Sequence, residues 1–249
     1  MYAKVEEVEV NQEQRVVIFD KTGKGTARIH RLKTDPLTFH QQECDHLANK
    51  MLQGVRDFAL TAEGNLVYIS GGFDINTGKS INDLIVFNGE RREWKILSNM
   101  AKARCNHTMV LWKGGLLVAG GETNAKVKLT TTCEYYDIQS DSWKAFDVLP
   151  DPRSCHSCVV HNNSVYISGG YDKLQVPQNN LWICEESTLK WLCLDEHYPV
   201  PLPYSMAKHS MLSHGDSIYL IGGVCKDRYE GTKASAKIIS FKPSISYLA

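Results

Sequence analysis

Short apolar segments that end in a pair of glycines recur along the chain. Four such segments are Leu66–Gly72, Leu116–Gly121, Val165–Gly170 and Ile218–Gly223, and their first glycines are 49, 49 and 53 residues apart. Continuous runs of Val, Ile, Leu and Tyr of this length are typical of buried strands. Because self-similarity at a fixed period indicates repeated structural units, the pattern predicts an array of similar β-rich modules.

Tryptophans keep the same register as the glycines. In three of the four copies the aromatic position is followed seven residues later by tryptophan. The three pairs are Phe87 and Trp94, Tyr136 and Trp143, and Cys184 and Trp191, where cysteine replaces the aromatic residue. We expect these tryptophans to pack between neighbouring modules, where truncation of one of them to alanine costs about 3–5 kcal/mol.

A further recurring position lies thirteen residues before the first glycine of each pair. It is occupied by Phe58, His107, His156 and His209. The three histidines begin predicted strands whose residues alternate with buried positions. We therefore interpret these histidines as structural rather than catalytic.

Each module is predicted to contain four short strands. Three of them are exemplified by Thr108–Trp112, Leu84–Phe87 and Trp94–Leu97, and the fourth is the segment that ends in the glycines. Asn88-Gly89, which follows Leu84–Phe87, is a strong hairpin signal. Four-stranded units of this size cannot bury both faces alone and must stack on their neighbours, so the pattern predicts an all-β propeller.

The overall charge argues against a nucleic-acid partner. Lys plus Arg and Asp plus Glu both number 28, so the formal net charge is zero, whereas binding to a phosphate backbone relies on an excess of Lys and Arg. The apolar segments are too short to span a bilayer, and the charged start Met1–Val8 lacks the apolar core of a secretory signal. We therefore expect a cytoplasmic protein with no nucleic-acid or membrane partner.

The eight cysteines are irregularly spaced, which in a reducing compartment predicts free thiols. Cys155 and Cys158 superficially resemble a zinc or redox pair. Residues three apart on a strand point to opposite faces, however, and no second pair has the spacing of a structural zinc site. We interpret the two cysteines as structural thiols and expect no metal and no cofactor.

The recurring residues resemble those of a known repeat family. Trp94–His107 contains tryptophan, leucine, methionine, arginine and histidine at the spacing of the kelch repeat, and Trp143–His156 repeats most of that pattern. The style is closest to the kelch half of BTB–BACK–kelch proteins. The resemblance implies a kelch-type β-propeller of about five four-stranded blades that forms a single domain over residues 1–249. A six-bladed ring with a missing or degenerate blade is the alternative.

The two ends of the chain follow the repeat less closely. Asp35–His46 aligns with Asp83–Trp94, and Phe241 and Leu248 stand near the aromatic and tryptophan positions of the last repeat. Val5–Val10 is a candidate strand to pair with the final blade and close the ring, which would remove an exposed sheet edge. The repeats are expected at about 1–53, 54–102, 103–151, 152–204 and 205–249, the first degenerate and the last incomplete.

The resemblance also implies where a partner docks. In the family, partners bind the propeller face that is built from the loop after each glycine pair and the loop that leads into each blade. The matching post-glycine residues here are Phe73, Asp74, Glu122, Asn124, Tyr171, Asp172, Val224 and Lys226, and the matching lead-in residues are Arg104, Asn106, Arg153, Ser154, Tyr204 and Lys208.

For two of these positions a specific role is implied. Arginines at the positions of Arg104 and Arg153 clamp acidic peptide side chains in relatives, which suits the bidentate geometry of a guanidinium group with a carboxylate. The alternative is that each arginine pairs with a neighbouring acid or caps backbone carbonyls. Val55 and Met206 stand at the same position in two other repeats, which favours a mixed or partly apolar ligand.

The function implied is that of a protein-interaction module. In BTB–BACK–kelch proteins the propeller recruits substrates to a cullin-RING ubiquitin ligase, so we expect a protein or peptide ligand on the loop face. The cullin-RING machinery would bind through a BTB domain that is not present in these residues. An actin-binding kelch protein is the alternative. A kelch-fold enzyme is a third hypothesis, but no Gly-x-Ser-x-Gly, P-loop or HExxH motif occurs, and we do not expect an enzyme.

Overall fold

The structure is a computed structural model that describes residues 4–10, 13–19, 28–34, 37–43, 53–123, 128–194, 202–227, 231–235 and 238–243. For the segments before residue 53, and for 226–227 and 231–232, the backbone alone is described. The described residues form an all-β structure of antiparallel sheets, as predicted.

The N-terminal strands form two separate hairpins. They are β1 (Lys4–Val10), β2 (Glu13–Phe19), β3 (Arg28–Thr34) and β4 (Leu37–Glu43), and β1 pairs with β2 while β3 pairs with β4. The predicted pairing of Val5–Val10 with the final blade is therefore wrong. Two residues separate β1 from β2, and so short a connection favours a local hairpin.

The expected register of the first repeat is also wrong. The alignment with Asp83–Trp94 places a turn at residues 40–43, but β4 continues through them and the hairpin connects Thr34 to Leu37. Thr34 and Leu37 are cross-strand partners only three positions apart, and so short a connection favours a local hairpin.

The next three repeats each form a meander. The second repeat contributes β5 (Val55–Arg56), β6 (Ala59–Glu63), β7 (Leu66–Asp74), β8 (Lys79–Asn88) and β9 (Glu93–Leu97). The third contributes β10 (Thr108–Trp112), β11 (Gly115–Ala119), β12 (Glu122–Thr123), β13 (Lys128–Leu129), β14 (Cys133–Asp137) and β15 (Ser142–Phe146). The fourth contributes β16 (Ser157–His161), β17 (Ser164–Ser168), β18 (Leu181–Cys184) and β19 (Trp191–Cys193).

The strand orders are β6-β7-β8-β9, β10-β11-β14-β15 and β16-β17-β18-β19, and we call these sheet 2, sheet 3 and sheet 4. The last repeat contributes β20 (Met206–Ala207), β21 (Ser210–His214), β22 (Ser217–Ile221), β23 (Val224–Asp227), β24 (Gly231–Ala234) and β25 (Ile238–Phe241). Strands β21, β22 and β25 pair in that order and form sheet 5. In the described part of the chain, sheet 5 has three strands, whereas sheets 3 and 4 have four and sheet 2 has four besides the short β5 that also pairs with β7.

Alternation along the strands explains why the sheets stack. In β11 all five residues are buried. Because successive side chains point to opposite faces, both faces of this strand must be covered. Leu116 and Val118 pack with residues of sheet 2 such as Leu84, whereas Leu117 and Ala119 pack with residues of sheet 4. The other face of sheet 4 packs against sheet 5 in the same way. The apolar runs of sheets 3 and 4 that end in glycines are thus covered by a neighbouring sheet on both faces.

The paired glycines lie where neighbouring sheets meet. Gly120 has a positive φ, and a Cβ atom there would lie 2.7 Å from the carbonyl oxygen of Arg153, which leads into the next sheet. Gly121 donates its amide to the same oxygen at 2.8 Å. A side chain at Gly120 would separate the two backbones, so this position of the junction requires glycine.

Two of the three tryptophans pack between sheets as predicted, whereas Trp94 packs against the apolar cluster of its own sheet. The indole nitrogen of Trp143 donates to the carbonyl oxygen of Ser98, in the segment after sheet 2, at 2.7 Å. Trp191 lies in one apolar cluster with Trp112 and Leu149 of the preceding repeat. These two residues therefore join neighbouring sheets.

Among the residues that the structure describes, no helix is both long enough and apolar enough to cross a membrane.

Candidate partner-binding face

One end of the sheets carries two kinds of loop for each of the second to fifth repeats. Each sheet begins after a lead-in segment, its second strand runs towards the glycine pair, and the post-glycine segment follows at the same end. The two segments of a repeat pair with each other through Val55 and Asp74, Cys105 and Glu122, Ser154 and Tyr171, and Ala207 and Val224. We call this end the loop face.

Four residues with left-handed backbone lie in a row on the loop face. They are Asp57, Asn106, Cys155 and Lys208, with φ of 58°, 53°, 53° and 57°, and each directly precedes the recurring histidine or phenylalanine position. The amide of Asn106 donates to Asp57 at 2.8 Å, that of Cys155 to Asn106 at 2.9 Å, and that of Lys208 to Cys155 at 2.8 Å, in each case to the carbonyl oxygen.

These four residues, which we call the left-handed ring, connect the lead-in segments of successive sheets. The first strands of neighbouring sheets also lie side by side, so these four residues follow that edge of the stack. Of these residues Asn106 and Lys208 belong to the predicted lead-in positions. The others could have been found only from their common position, directly before the recurring histidine or phenylalanine. Their residue types share no chemistry, since the four side chains are an acid, an amide, a thiol and an amine.

Charges of both signs flank the left-handed ring. Arg56 forms an ion pair with Asp57 at 2.9 Å and lies over the ring of Phe73, 5.0 Å from its centroid. The side-chain amide of Asn106 donates to Glu122 at 3.3 Å. Three predicted residues, Phe73, Asn106 and Glu122, are thus brought together here in a surface of mixed charge.

The thiols near the ring are poor nucleophiles. Burial raises the pKa of the Cys155 thiol to about 12, although Lys208 acts in the opposite direction. Burial likewise raises the pKa of Cys105 to about 11. Because the thiolate is the reactive form of cysteine, both side chains are neutral and unreactive at physiological pH. The seven cysteines in the described residues are all free.

Arg104 is enclosed beneath the loop face. Its side chain has a relative exposure of 0%, and it donates to the carbonyl oxygens of Gly120 at 2.7 Å and Thr132 at 2.8 Å. It also forms an ion pair with Glu134 at 2.6 Å. The expectation that Arg104 clamps an acidic peptide is corrected, because its guanidinium group is enclosed and its two terminal nitrogens already bind carbonyl oxygens and a carboxylate inside the protein. The alternative, pairing with an acid and capping of carbonyls, describes it.

Arg153 is equally inaccessible, with a relative exposure of 2%. Its guanidinium group lies over the indole of Trp182, 4.7 Å from the ring centroid, and donates to the side-chain oxygen of Asn180 at 3.3 Å. This expectation is therefore corrected in the same way: Arg153 is held by an aromatic face within sheet 4 and does not project from the loop face.

Two predicted aspartates shape their own loops. The Asp74 carboxylate accepts hydrogen bonds from the amide of Asn76 and the hydroxyl of Thr77, both at 2.8 Å, and these bonds lower its pKa. The Asp172 carboxylate accepts from the amides of Leu174 and Val176 and from Gln178. Each carboxylate thus holds the loop that follows a glycine pair in one conformation.

The remaining predicted residues differ in accessibility. Ser154 is buried, Tyr171 is half-buried and Tyr204 is exposed. Asn124 lies outside the described residues, and for Lys226 the backbone alone is described, as part of β23. Sequence reasoning missed two exposed apolar side chains of the loop face, Ile75 and Leu174, the second with a relative exposure of 74%.

The recurring histidines link neighbouring sheets. The Nε2 atom of His107 hydrogen-bonds to Ser70 at 2.9 Å, that of His156 to Thr108 at 3.0 Å, and that of His209 to Ser168 at 2.7 Å. Burial lowers the pKa of His156 to about 3, with a further contribution from Arg153, and burial lowers that of His209 to about 4. His156 and His209 are therefore neutral, and the contacts of all three histidines are structural, as interpreted from the sequence.

Known proteins resemble this chain over most of its length. A family described as the KLHDC2/KLHL20/DRC7 Kelch-repeats domain matches residues 12–235. Kelch-like protein 40 of Xenopus tropicalis is 34% identical over 140 residues, which are 53% of this chain and 22% of that protein. Kelch-like protein 36 of Mus musculus is 29% identical over 191 residues, which are 72% of this chain and 30% of that protein.

A solved structure shares the fold. The structure of YjhT superposes with a TM-score of 0.77 at 15% identity, over 96% of this chain and 82% of that one. The chain spans about a quarter of the length of the first curated relatives, with coverages of 22%, 26% and 25%. The recurrent glycine junctions, the tryptophans between sheets and these matches agree, and the chain belongs to the kelch-repeat family.

Proposed function

We propose that this chain is a protein-interaction module that captures a protein or peptide on its loop face. We further propose that it is the substrate-recognition propeller of a cytoplasmic cullin-RING ubiquitin ligase adaptor. The observation that carries the first proposal is the construction of the loop face, where rigid stacked sheets hold dissimilar loops with exposed side chains. Loops on a rigid scaffold commonly carry binding function.

The chemistry of the loop face favours binding over catalysis. The thiols of Cys105 and Cys155 are neutral because burial raises their pKa values. The buried His156 and His209 are neutral and hydrogen-bonded to hydroxyls of the neighbouring sheet. Neither kind of group is poised to act as a nucleophile or as a solvent-accessible base at neutral pH.

The same face suggests the nature of the ligand. Arg104 and Arg153 are enclosed and do not add positive charge to the surface. Ile75, Leu174 and Tyr204 are exposed, while Arg56 and Asp57 pair with each other. A segment with apolar side chains and few charges therefore fits this surface better than a strongly acidic one.

A matched pair of variants tests the proposed site in the full-length protein. Leu174→Asp places a charge on the loop face, and Leu192→Asp makes the same change at an exposed position of the outermost strand β19. Proteins captured from cell lysate and identified by mass spectrometry should fall at least about tenfold with Leu174→Asp, since one charge in an apolar contact costs more than 1.4 kcal/mol. Equal capture by both variants would place the site elsewhere.

The ligase role is tested separately. Proteins that bind the parent and not Leu174→Asp should accumulate in cells when cullin-RING ligases are inhibited. Unchanged abundance of every such protein would contradict the ligase role and leave the binding site intact. Saturable co-sedimentation of the protein with filamentous actin, lost with Leu174→Asp, would instead support the cytoskeletal alternative.

A further inference from the structure

Sheet 5 has one packed face and one exposed face. Alternate residues, among them Ile218, Leu220 and Ile239, pack against sheet 4. The opposite face presents Leu212 and Tyr219, which are cross-strand partners, and Ile221 and Ile238, which are partners as well. Leu212, Ile221 and Ile238 are exposed, Ile238 at 67%. We call the face formed by Ser210, Leu212, Tyr219, Ile221 and Ile238 the open face.

The equivalent face of sheet 4 is covered. Tyr166 and Leu181 occupy the positions that Tyr219 and Ile238 occupy in sheet 5, since each pair has the same place relative to the glycines and to the strand partners. Tyr166 and Leu181 are buried in the cluster formed with sheet 5. The same positions therefore carry apolar side chains in both sheets, but only sheet 4 is followed by another sheet in the described residues.

The glycines of sheet 5 have the same form as those of the covered junctions. A Cβ atom on Gly71, Gly120 or Gly169 would collide with a carbonyl oxygen of the next lead-in segment, and the glycine that follows each donates its amide to that oxygen. At Gly222 the nearest atom is the carbonyl oxygen of Ser235 at 3.6 Å. Gly222 keeps the positive φ of the other three, at 69°, although the described residues bring no lead-in segment against it.

A hydroxyl for the next histidine is present as well. In each sheet, the residue directly before the first glycine has a cross-strand partner on the first strand. At each covered junction, one member of this pair carries a hydroxyl that binds the histidine of the following sheet. The pairs are Ala59 with Ser70, Thr108 with Ala119, and Ser157 with Ser168, and in sheet 5 the pair is Ser210 with Ile221. Ser210 is exposed, and it stands where Thr108 stands in sheet 3.

We propose that the open face is covered by a further four-stranded sheet that the same polypeptide carries outside residues 1–249. Its lead-in segment would present a carbonyl oxygen to the amide of Gly223 and a histidine to Ser210. The apolar positions, the glycine conformation and the hydroxyl all repeat the junctions already formed, so the open face continues an established interface.

The source of this sheet is argued from continuity. Each covered junction joins consecutive repeats of one chain, for example through the ten residues between β15 and β16. The N-terminal strand β1 lies beside β6 of sheet 2, at the other end of the stack. The matched relatives are several times longer than the matched segment, and the YjhT chain extends beyond the 82% that superposes.

The test uses the protein expressed from its full reading frame. Ile221→Asp should lower the thermal midpoint by about 5 °C or more because it places a charge in a packed interface. Ile96→Asp, at an exposed position of the outermost strand β9, should change it by less than about 2 °C. Small and equal changes for both variants would overturn the proposal, as would a reading frame that contains no further repeat.

Two measurements on the unsubstituted protein cover the case in which Ile221→Asp does not fold. Amides of β22 should exchange with deuterium as slowly as those of β17, which is covered on both faces; exchange faster by a factor of a hundred or more would overturn the proposal. Native mass spectrometry should show a monomer. A dimer that Ile221→Asp dissociates would mean that a second copy covers the face, and would also overturn it.

Discussion

Sheets 3 and 4 are each preceded by an arginine at the equivalent position, and the two arginines are buried in different ways. Arg104 forms an ion pair with Glu134 in sheet 3, whereas Arg153 lies over the face of Trp182 in sheet 4. Glu134 and Trp182 are equivalent, since each pairs with the residue that lies two positions before the first glycine. One buried cation is thus neutralised by a carboxylate and the other is stabilised by an aromatic quadrupole.

The other two sheets show the same pair of positions without charge. Val55 and Ile85 lie in one apolar cluster of sheet 2, and Met206 and Ile239 lie in one apolar cluster at sheet 5. The comparison teaches that the repeat specifies a contact and not its chemistry. The two residues vary together, because a buried cation opposite an aliphatic side chain would lack compensation.

The largest expected effect comes from removing the acid. Glu134→Ala leaves the guanidinium group of Arg104 buried without its counter-charge, and should lower the free energy of unfolding by about 3–5 kcal/mol. Urea denaturation followed by tryptophan fluorescence measures this loss. The control is the double variant Arg104→Met with Glu134→Ile, which copies the pair at sheet 5 and should restore most of the stability. A double variant as unstable as Glu134→Ala would contradict the exchange of pairs.

A smaller loss of unfolding free energy is expected when Trp182, the aromatic partner of Arg153, is replaced. Trp182→Leu removes the surface over which Arg153 lies and should cost about 2–3 kcal/mol, from the lost cation–π contact and the lost packing. Trp182→Phe keeps an aromatic face and should cost less than half as much in the same denaturation experiment. Equal losses for the two variants would show that ring volume, and not the cation, sets the cost.

The smallest effect concerns the histidines that follow these positions. His156 follows Arg153 by three residues and His209 follows Met206 by three, and burial lowers the pKa of His156 to about 3 and that of His209 to about 4. Both folded values lie below the unfolded value near 6.5. The unfolded state therefore binds the proton first, and stability is lost as the pH falls below about 6.5, by roughly 1 kcal/mol per histidine between pH 6.5 and 5.5.

The arginine contributes to one of these two shifts. Arg153→Met should raise the pKa of His156 towards that of His209, because the positive charge of Arg153 disfavours the imidazolium ion. A pH titration of the imidazole resonances by NMR measures the change, with His209 as the internal reference. An unchanged value for His156 would mean that burial accounts for the whole shift.

Much of the fold was predictable from local patterns. The strands that end in glycines, the tryptophans between sheets and the structural histidines all follow from residue type and register. The N-terminal strand Lys4–Val10 was assigned the wrong partner, since pairing with the final blade and pairing with Glu13–Phe19 satisfy the same apolar pattern. A short connection decided in favour of the nearer strand.

The candidate site was predictable only in its location. The loop face and the proximity of Asn106 to Glu122 follow from the repeat. The burial of Arg104 does not, because its partner Glu134 is 30 residues away and only the sheet brings the two together. The exposure of Leu174 was also not evident, since an apolar residue in a loop can lie on either side of the chain.

The sequence by itself determined the period, the strands, the glycine junctions and the family, because these depend on side-chain size, backbone freedom and spacing along one segment. The tertiary structure decided which polar groups are enclosed, which apolar groups remain exposed, and which face of sheet 5 has no neighbour among the described residues. Those properties depend on what approaches a side chain from a distant part of the chain. A charge such as that of Arg104 is read correctly only when its surroundings are known.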